Sequence, residues 1–285
     1  MTDNALFFVV SDLHLGNPYC RHASFLSWLD SLPAGAALIL SGDTIDRPRK
    51  PLPPPDQLVL DRLVAESHQR TVIWIPGNHD RRFSLDNAGE IRFENQWKIG
   101  RQVLVTHGDK LDDIMPRHGL FRMLFKILHR SLISVGFPNV HVAQYAKKWG
   151  ALYRVFNDHV AGKAIRQAET LGFAAITCGH THSAMDLERD GRRYFNTGAW
   201  TEEPHYYLRV ERMHPEGERV DLDLCVVDGS CRRLDGGSES SGAGEVVADP
   251  TLNSRSLAAS TEGSPAAGDA VGVRFDATTA TEDSA

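Results

Sequence analysis

Cysteine is scarce in this sequence, and long apolar runs are absent from it. Its 285 residues include four cysteines, and no two of these form a Cys-x-x-Cys pair. Scattered cysteines of this kind indicate free thiols rather than a disulfide framework or a zinc ribbon. No apolar run approaches the ~20 residues of a membrane-spanning helix. We therefore expect neither a disulfide-rich secreted module nor an integral membrane protein.

The amino end also lacks a basic segment. Residues 1–4 (Met-Thr-Asp-Asn) lead directly into an apolar run. We therefore expect no secretory signal and a cytoplasmic protein. The length allows one large domain or two small ones, and the hydrophobic content of 41% is enough for a full core.

Charge is unevenly distributed along the chain, whose net charge is −6. Residues 235–285 contain nine acidic and two basic side chains and are rich in Ser, Gly, Ala and Thr. Because such a segment cannot bury enough to offset its ordering entropy, we predict a disordered acidic tail over residues 233–285. Residues 114–168, in contrast, carry nine Lys or Arg and one acid. A basic segment favours a phosphorylated substrate or an anionic membrane surface as partner.

Five short apolar runs each end in residues that can bind metal ions. Residues 38–40 (Leu-Ile-Leu) lead into Ser-Gly-Asp, and a run this apolar suits a strand buried on both faces. Similar runs lead into residues 11–14 (Ser-Asp-Leu-His), 76–80 (Pro-Gly-Asn-His-Asp), 106–109 (Thr-His-Gly-Asp) and 179–182 (Gly-His-Thr-His). Sites in open α/β sheets form beyond the carboxyl ends of strands, so the five ends can converge on one metal cluster.

Apolar spacing and turn residues predict the other elements. Residues 25–32 and 58–64 have the spacing of amphipathic helices, and a further helix is expected at about 159–171. Hairpins are expected over residues 89–106 and over residues 184–197, the second with an Asp-Gly turn. The proline-rich residues 47–55 predict a stiff extended loop.

The five polar motifs, in this order, resemble the calcineurin-like metallophosphoesterase superfamily. They are Asp-x-His, Gly-Asp-x-x-Asp-Arg, Gly-Asn-His-Asp, His-Gly-Asp and Gly-His-Thr-His, and the likeness covers roughly residues 6–210. It implies an α/β fold, a four-layer α/β/β/α sandwich, over residues 1–232 with a helical insert at about 114–160. It also implies a binuclear metal-dependent phosphoesterase.

The resemblance further implies how the ligands are divided between two divalent ions. Three side chains would hold the first ion: Asp12, His14 and His182. Three others would hold the second, with Asp43 shared between the ions: Asn78, His107 and His180. Mixed oxygen and nitrogen ligands suit Mn, Fe, Zn or Co, of which we expect manganese. Such a pair of ions supplies a nucleophile and neutralises charge on the phosphoryl group.

His79 is the predicted catalytic side chain, since by resemblance it faces the substrate and protonates the leaving oxygen. An imidazolium does this near neutral pH when a carboxylate holds it. Asp46 is the expected partner of His79, and Asp80 is the alternative, although a role for Asp80 in capping the following turn is favoured. Arg47 matches the phosphate-contacting arginine of the motif. Arg81 is a second candidate for substrate binding, with a place in a solvated loop as the alternative.

Within the superfamily, the layout resembles the UDP-2,3-diacylglucosamine hydrolases, peripheral enzymes of lipid A synthesis. The points of likeness are residues 11–16, the basic insert and residues 194–200. Typical members have arginine in place of His79, aromatic residues in place of residues 47–49, and an acid in place of Ala199. We therefore expect a divergent branch of that family.

The expected substrate is a lipid-linked or nucleotide pyrophosphate, with peripheral attachment to the inner membrane face as an accompanying possibility. A soluble phosphatase or phosphodiesterase acting on nucleotides or phosphoproteins is the alternative, and a non-catalytic scaffold is a rival from another class. No nucleic acid is expected as partner, because the insert has no evident array of aromatic residues for stacking bases.

Overall fold

The computed structural model describes residues 5–113, 150–213 and 220–227. Most of the predicted helical insert and the whole predicted acidic tail lie outside these residues, so both remain predictions. Among the described residues, no helix is both long enough and apolar enough to cross a membrane.

The described chain forms eleven strands and three helices. The helices are α1 (His22–Ser31), α2 (Pro54–Ser67) and α3 (Gly150–Leu171). The strands are β1 (Leu6–Val10), β2 (Ala37–Ser41), β3 (Val72–Ile75), β4 (Arg92–Phe93), β5 (Trp97–Ile99), β6 (Val103–Val105), β7 (Ala175–Cys178), β8 (Met185–Arg189), β9 (Arg192–Asn196), β10 (Tyr206–Arg212) and β11 (Val220–Val226).

The strands form two sheets, each with parallel strands at its centre. The first sheet has the order β11-β10-β1-β2-β3-β4, with β1 to β4 parallel and β10 antiparallel to β1. The second has the order β5-β6-β7-β9-β8, with β6, β7 and β9 parallel. Strands β5 and β8 pair antiparallel at its edges. The parallel strands point their carboxyl ends to one edge of each sheet.

Three apolar clusters show how the layers stack. Strand β2 is buried along its whole length, and its apolar side chains alternate between two of the clusters. Leu38 and Leu40 pack with the helices α1 and α2, whereas Ile39 packs with Val105 and Phe195 of the second sheet. A third cluster joins the outer face of the second sheet to α3. The predicted four-layer α/β/β/α arrangement is confirmed.

Several predicted elements differ from those observed. Helix α2 begins at Pro54, inside the predicted extended loop, because proline lacks only an amide hydrogen that the first helical turn leaves unpaired. The helix expected at about 159–171 begins earlier than predicted: α3 is continuous from Gly150 to Leu171. Its buried face already includes Asn157 and continues through Val160, Ala161 and Ala164. Asn157 and Asp158 are weak helix formers, but neither stops a helix.

Of the two predicted hairpins, the second is present and the first is present only in part. Strands β8 and β9 form the second hairpin, which turns at Asp190 and Gly191, both in the left-handed region. In the first, only β5 and β6 pair with each other, because β4 joins β3 in the other sheet. The cysteine interpretation is wrong for Cys225, which is disulfide-bonded, whereas Cys20 and Cys178 are free.

Helix α2 offers a matched test of the core. We predict that Leu63→Ala, at a side chain 0% exposed, lowers the free energy of unfolding by about 2–5 kcal/mol because it leaves a cavity. Leu58→Ala, in the same helix but 58% exposed, should change it by less than about 0.5 kcal/mol. Urea unfolding of both variants measures the difference, and equal losses would contradict this assignment of the buried face.

Candidate metal centre

Backbone hydrogen bonds bring the predicted ligand segments together at the carboxyl ends of the strands. The amide of Asp12 donates to Gly42 O at 3.0 Å, and that of His14 donates to Asp43 O at 2.9 Å. These bonds join the segments that follow β1 and β2. In the second sheet, the amide of Gly179 donates to His107 O at 2.9 Å. The expected convergence of strand ends is therefore present.

The backbone is strained at the predicted ligands. Six non-glycine residues of the described chain have a positive φ. Five of them are predicted ligands: Asp12 (55°), His14 (52°), Asp43 (51°), His180 (67°) and His182 (57°). The left-handed region costs an ordinary L-residue roughly 1–2 kcal/mol. Such strain persists where the surroundings impose it and is concentrated at functional sites.

Asp12, His14 and His182 form one cluster of ligand atoms. His14 Nε2 lies 3.1 Å from His182 Nε2, and Asp12 Oδ1 lies 3.3 Å from His182 Nε2 and 3.7 Å from His14 Nε2. One carboxylate oxygen and two imidazole nitrogens thus face a common point. The cluster contains the three ligands predicted for the first ion.

The ligands predicted for the second ion lie beside it in two contacts. His107 Nε2 is 3.3 Å from Asp43 Oδ2, and these two groups are also close to Asp12. Asn78 Oδ1 is 3.0 Å from His180 Nδ1. The rings of His107 and His180 are 5.4 Å apart, which links the two contacts. Asp43 thus lies between the sets, as a shared ligand requires.

Two glycines leave the space that these side chains occupy. Gly42 has φ +93°, and a Cβ there would lie 2.1 Å from His107 Nδ1. A Cβ on Gly77 would lie 2.1 Å from Asp43 Oδ1. Neither clash could be relieved without moving a predicted ligand. The glycines of the Gly-Asp and Gly-Asn motifs are therefore needed for close approach.

The donor set fits divalent cations. Asp12 Oδ1 and His107 Nε2 are buried and make no hydrogen bond with any described residue, which is rare for buried polar atoms. Burial raises the pKa of Asp12, but His182 and His107 outweigh it and the pKa falls to about 2. Burial lowers the pKa of His107, but Asp43 outweighs it and the pKa rises to about 10. The carboxylates therefore attract positive charge, and oxygen and nitrogen donors together suit a transition-metal ion.

His79 lies beside this cluster and is held by Asp46, the expected partner. Its Nδ1 is 3.2 Å from Asp46 Oδ1 and 3.1 Å from Asp46 O. The hydrogen bond to Asp46 is the main cause that raises the pKa of His79, to about 9. Asp46 Oδ1 is also 3.3 Å from His14 Nδ1. Burial raises the pKa of Asp46, but the hydrogen bonds to the two histidines lower it by more, so this pKa lies well below its usual value. One carboxylate therefore orients both rings.

Asp80, the alternative partner, performs a different task. Its buried carboxylate accepts hydrogen bonds from the amides of Gly77 at 2.6 Å and Thr44 at 2.8 Å, and from Trp74 Nε1 at 3.2 Å. Burial, and then the charge of Asp43, raises the pKa of this carboxyl. Asp80 therefore ties the segment after β2 to the segment after β3. These partners agree neither with the dyad nor with a cap on the following turn.

The two arginines proposed to bind substrate each contact a carboxylate. Arg47 Nε is 3.2 Å from Asp46 Oδ2, and about half of its side chain is exposed. Arg81 pairs through Nη2 with Asp109, a contact that the sequence did not indicate. Both guanidinium groups thus adjoin the site, and Arg81 has part of its charge neutralised.

Three supporting residues around the Gly-His-Thr-His segment were missed by sequence reasoning. Asn196 Nδ2 donates to Gly179 O at 2.7 Å, and Tyr153 Oη donates to Thr181 O. Asp112 Oδ2 lies 2.9 Å from His180 Nε2. Asp112 and its neighbour Asp113 are both acidic residues close after His107, and nothing in their spacing distinguishes the one that reaches the site.

Comparison with known proteins identifies the family. A family model described as calcineurin-like phosphoesterase matches residues 5–184. No curated protein matches the chain.

Solved structures also resemble the chain. A single-mutant Vps29 from Entamoeba histolytica has 15% identity and a TM-score of 0.43, over 81% of this chain and 99% of its own. The phosphoesterase YfcE from E. coli has 17% identity and a TM-score of 0.42, over 79% and 96%. An archaeal phosphodiesterase has 14% identity and a TM-score of 0.37, over 77% and 99%. Since the family model spans more than half of its length, the chain belongs to the calcineurin-like phosphoesterase family.

Proposed function

We propose that this metal-dependent phosphoesterase uses two divalent ions to hydrolyse a pyrophosphate bond in a lipid-linked nucleotide. The observation that carries the two-ion assignment is the meeting of all seven predicted ligands at one edge of the sheets, five of them with left-handed backbone. The spread of these ligands over two neighbouring sets, with Asp43 between them, supports two ions rather than one.

Divalent ions bound there would supply a water molecule of lowered pKa and would neutralise charge on the phosphoryl oxygens. The chain itself supplies the proton for the leaving group. Asp46 holds Nδ1 of His79, so Nε2 is the nitrogen left to face substrate. Because the pKa of His79 is raised to about 9, the imidazolium is present at neutral pH and can donate that proton.

Arg47 and Arg81 would bind the phosphate groups. Arg47 adjoins Asp46, and Arg81 lies two residues after His79, so both are close to the proposed proton donor. A guanidinium group offers planar, paired donors that match phosphate oxygens. Each side chain is 55% exposed, which leaves donors available to a substrate.

A lipid-linked substrate is supported by the surface of α3. Tyr153 of this helix contacts the segment that carries His180 and His182. The next two residues, Arg154 and Val155, are exposed, and Val155 is exposed to 64%. An exposed basic and an exposed apolar side chain on this helix suit contact with a charged head group and an acyl chain at an anionic membrane surface.

Two segments that resemble the diacylglucosamine hydrolases, residues 11–16 and 194–200, have a structural role. Ser11 Oγ is 2.8 Å from Thr197 Oγ1, and the amide of Trp200 donates to Asp12 O at 3.0 Å. These residues support the strand end that carries Asp12, and their contacts do not indicate a substrate. The complete ligand set, however, favours an enzyme over a non-catalytic scaffold.

A substrate comparison tests the proposed class. We expect the Mn-loaded protein to hydrolyse UDP-2,3-diacylglucosamine with a kcat/KM at least tenfold above that for the same sugar nucleotide without acyl chains or for a phosphopeptide. Product release is measured under identical metal and detergent conditions. A preference for the nucleotide or the phosphopeptide would contradict the lipid assignment and favour the soluble phosphatase.

Substitution of the shared ligand tests the metal centre. We predict that Asp43→Asn abolishes activity and lowers bound metal, because one change removes charge that both ions share. Elemental analysis after gel filtration measures the metal content. Asp61→Asn, an exposed carboxylate of α2, is the control and should bind metal like the parent. Parental metal content and turnover in Asp43→Asn would contradict the assignment.

Substitution of the proposed proton donor tests the mechanism. We predict that His79→Ala retains its metal but loses roughly 10²–10⁴-fold in kcat, the usual contribution of a positioned acid. The loss should be smaller for nitrophenyl esters, whose leaving group needs little protonation. His68→Ala, at an exposed histidine directly after α2, is the control. Equal losses on good and poor leaving groups would eliminate the acid role of His79.

A further inference from the structure

His180 is held at both of its ring nitrogens. Its Nδ1 lies 3.0 Å from Asn78 Oδ1, on the side of the metal centre. Its Nε2 lies 2.9 Å from Asp112 Oδ2, on the opposite side of the ring. The side chain of Asp112 is fully buried, so this contact is shielded from solvent.

The chemistry of these partners determines where the imidazole proton lies. An ionised Asp112 carboxylate can only accept a hydrogen bond, so in that state Nε2 of His180 carries the shared proton. In a neutral ring, Nδ1 then presents its lone pair toward the amide oxygen of Asn78. Both His180 Nδ1 and Asn78 Oδ1 would then be acceptors, and their separation of 3.0 Å suits a cation that both atoms bind.

His107 shows the opposite arrangement. Its Nδ1 is 2.9 Å from Ser41 O, a backbone acceptor, and its Nε2 is 3.3 Å from Asp43 Oδ2. His107 is therefore oriented to bind through Nε2. In the neutral form that binds a metal ion, the two histidines predicted for the same ion would therefore differ in tautomer, each set by the partner of the other ring nitrogen.

We infer that Asp112 is a positioning residue that makes His180 a ligand through Nδ1. This inference rests on the proposed metal centre and goes beyond it by naming the residue that orients one ligand. A carboxylate bonded to a ligating histidine fixes the ring and raises its basicity, and loss of such a partner typically costs 10–100-fold in metal affinity. Asp112 acts on the ion through His180.

The neighbouring residue provides a matched control. Asp113 faces α3, where its Oδ1 is 2.8 Å from His159 Nε2 and its Oδ2 is 2.7 Å from Lys163 Nζ. Neither of these two partners in α3 is a predicted metal ligand. The same Asp→Asn change at adjacent positions therefore separates an effect through His180 from a general effect of removing a carboxylate.

Titration of the metal-free protein with Mn²⁺, followed by calorimetry, tests the inference without an activity assay. We expect Asp112→Asn to weaken one of the two ions about 10–100-fold and to leave the other within about threefold. Asp113→Asn should leave both within about threefold. Parental affinity for both ions in Asp112→Asn, or equal effects of the two variants, would overturn the inference alone. A parent that binds no Mn²⁺ would overturn the proposed function as well.

A second measurement uses the unaltered protein in case Asp112→Asn does not fold. Protein with ¹⁵N-labelled histidine is loaded with Zn²⁺, and the ring signals of His180 are assigned by their loss in His180→Gln. We expect a proton on Nε2 and the shift of a metal-bound nitrogen for Nδ1. A proton on Nδ1 of His180 would overturn the inference. A purely structural role for Asp112 would not dictate this tautomer.

Discussion

Buried carboxylates without enough hydrogen-bond donors are the constraint around which this structure is arranged. Asp12 and Asp43 lie at the edge of the sheets with almost no exposure, and Asp12 Oδ1 receives no hydrogen bond from the described residues. Buried negative charge is costly unless positive charge lies next to it. The surrounding histidines provide part of that charge when protonated, and divalent ions would provide more of it.

Satisfying that constraint requires an unusual backbone. Ligand side chains from different strand ends must point to one place, and five of them do so with a left-handed φ. Glycine beside the ligands then gives the room that a Cβ would take from His107 or Asp43. The strain is offset by tertiary bonds, above all the four that Asp80 accepts between the segments after β2 and β3. The geometry of the site thus depends on residues that are not themselves predicted ligands.

Sharing of carboxylates connects the metal centre to the proposed proton donor. Asp46 Oδ1 contacts both His14, a predicted ligand, and His79. Asp112 holds another predicted ligand, His180, through its own carboxylate. Charge and orientation at the candidate metal centre and at the proposed proton donor are therefore coupled through a few buried hydrogen bonds, which are stronger in a low dielectric than at the surface.

Much of this arrangement follows from the sequence alone. The apolar runs and the motifs that end them identify the central strands and the side chains able to bind metal, because strand burial and ligand chemistry are local properties of a short segment. The division of the ligands between two ions and the expected pairing of Asp46 with His79 came from the family resemblance. Helix and loop limits were less predictable, as the start of α2 at Pro54 and the unbroken α3 demonstrate, since weak helix formers are overruled by packing.

Only the tertiary structure decided which acidic residue serves which partner. Asp80 and Asp46 were both candidates for His79, and the fold turned Asp80 toward backbone amides. Asp112 and Asp113 are adjacent acids, yet one bonds His180 and the other bonds α3. Side chains at neighbouring positions point in different directions, and their partners come from segments distant in the chain. Ligand identity is therefore encoded locally, whereas the orientation of those ligands depends on contacts that exist only after the two sheets have packed.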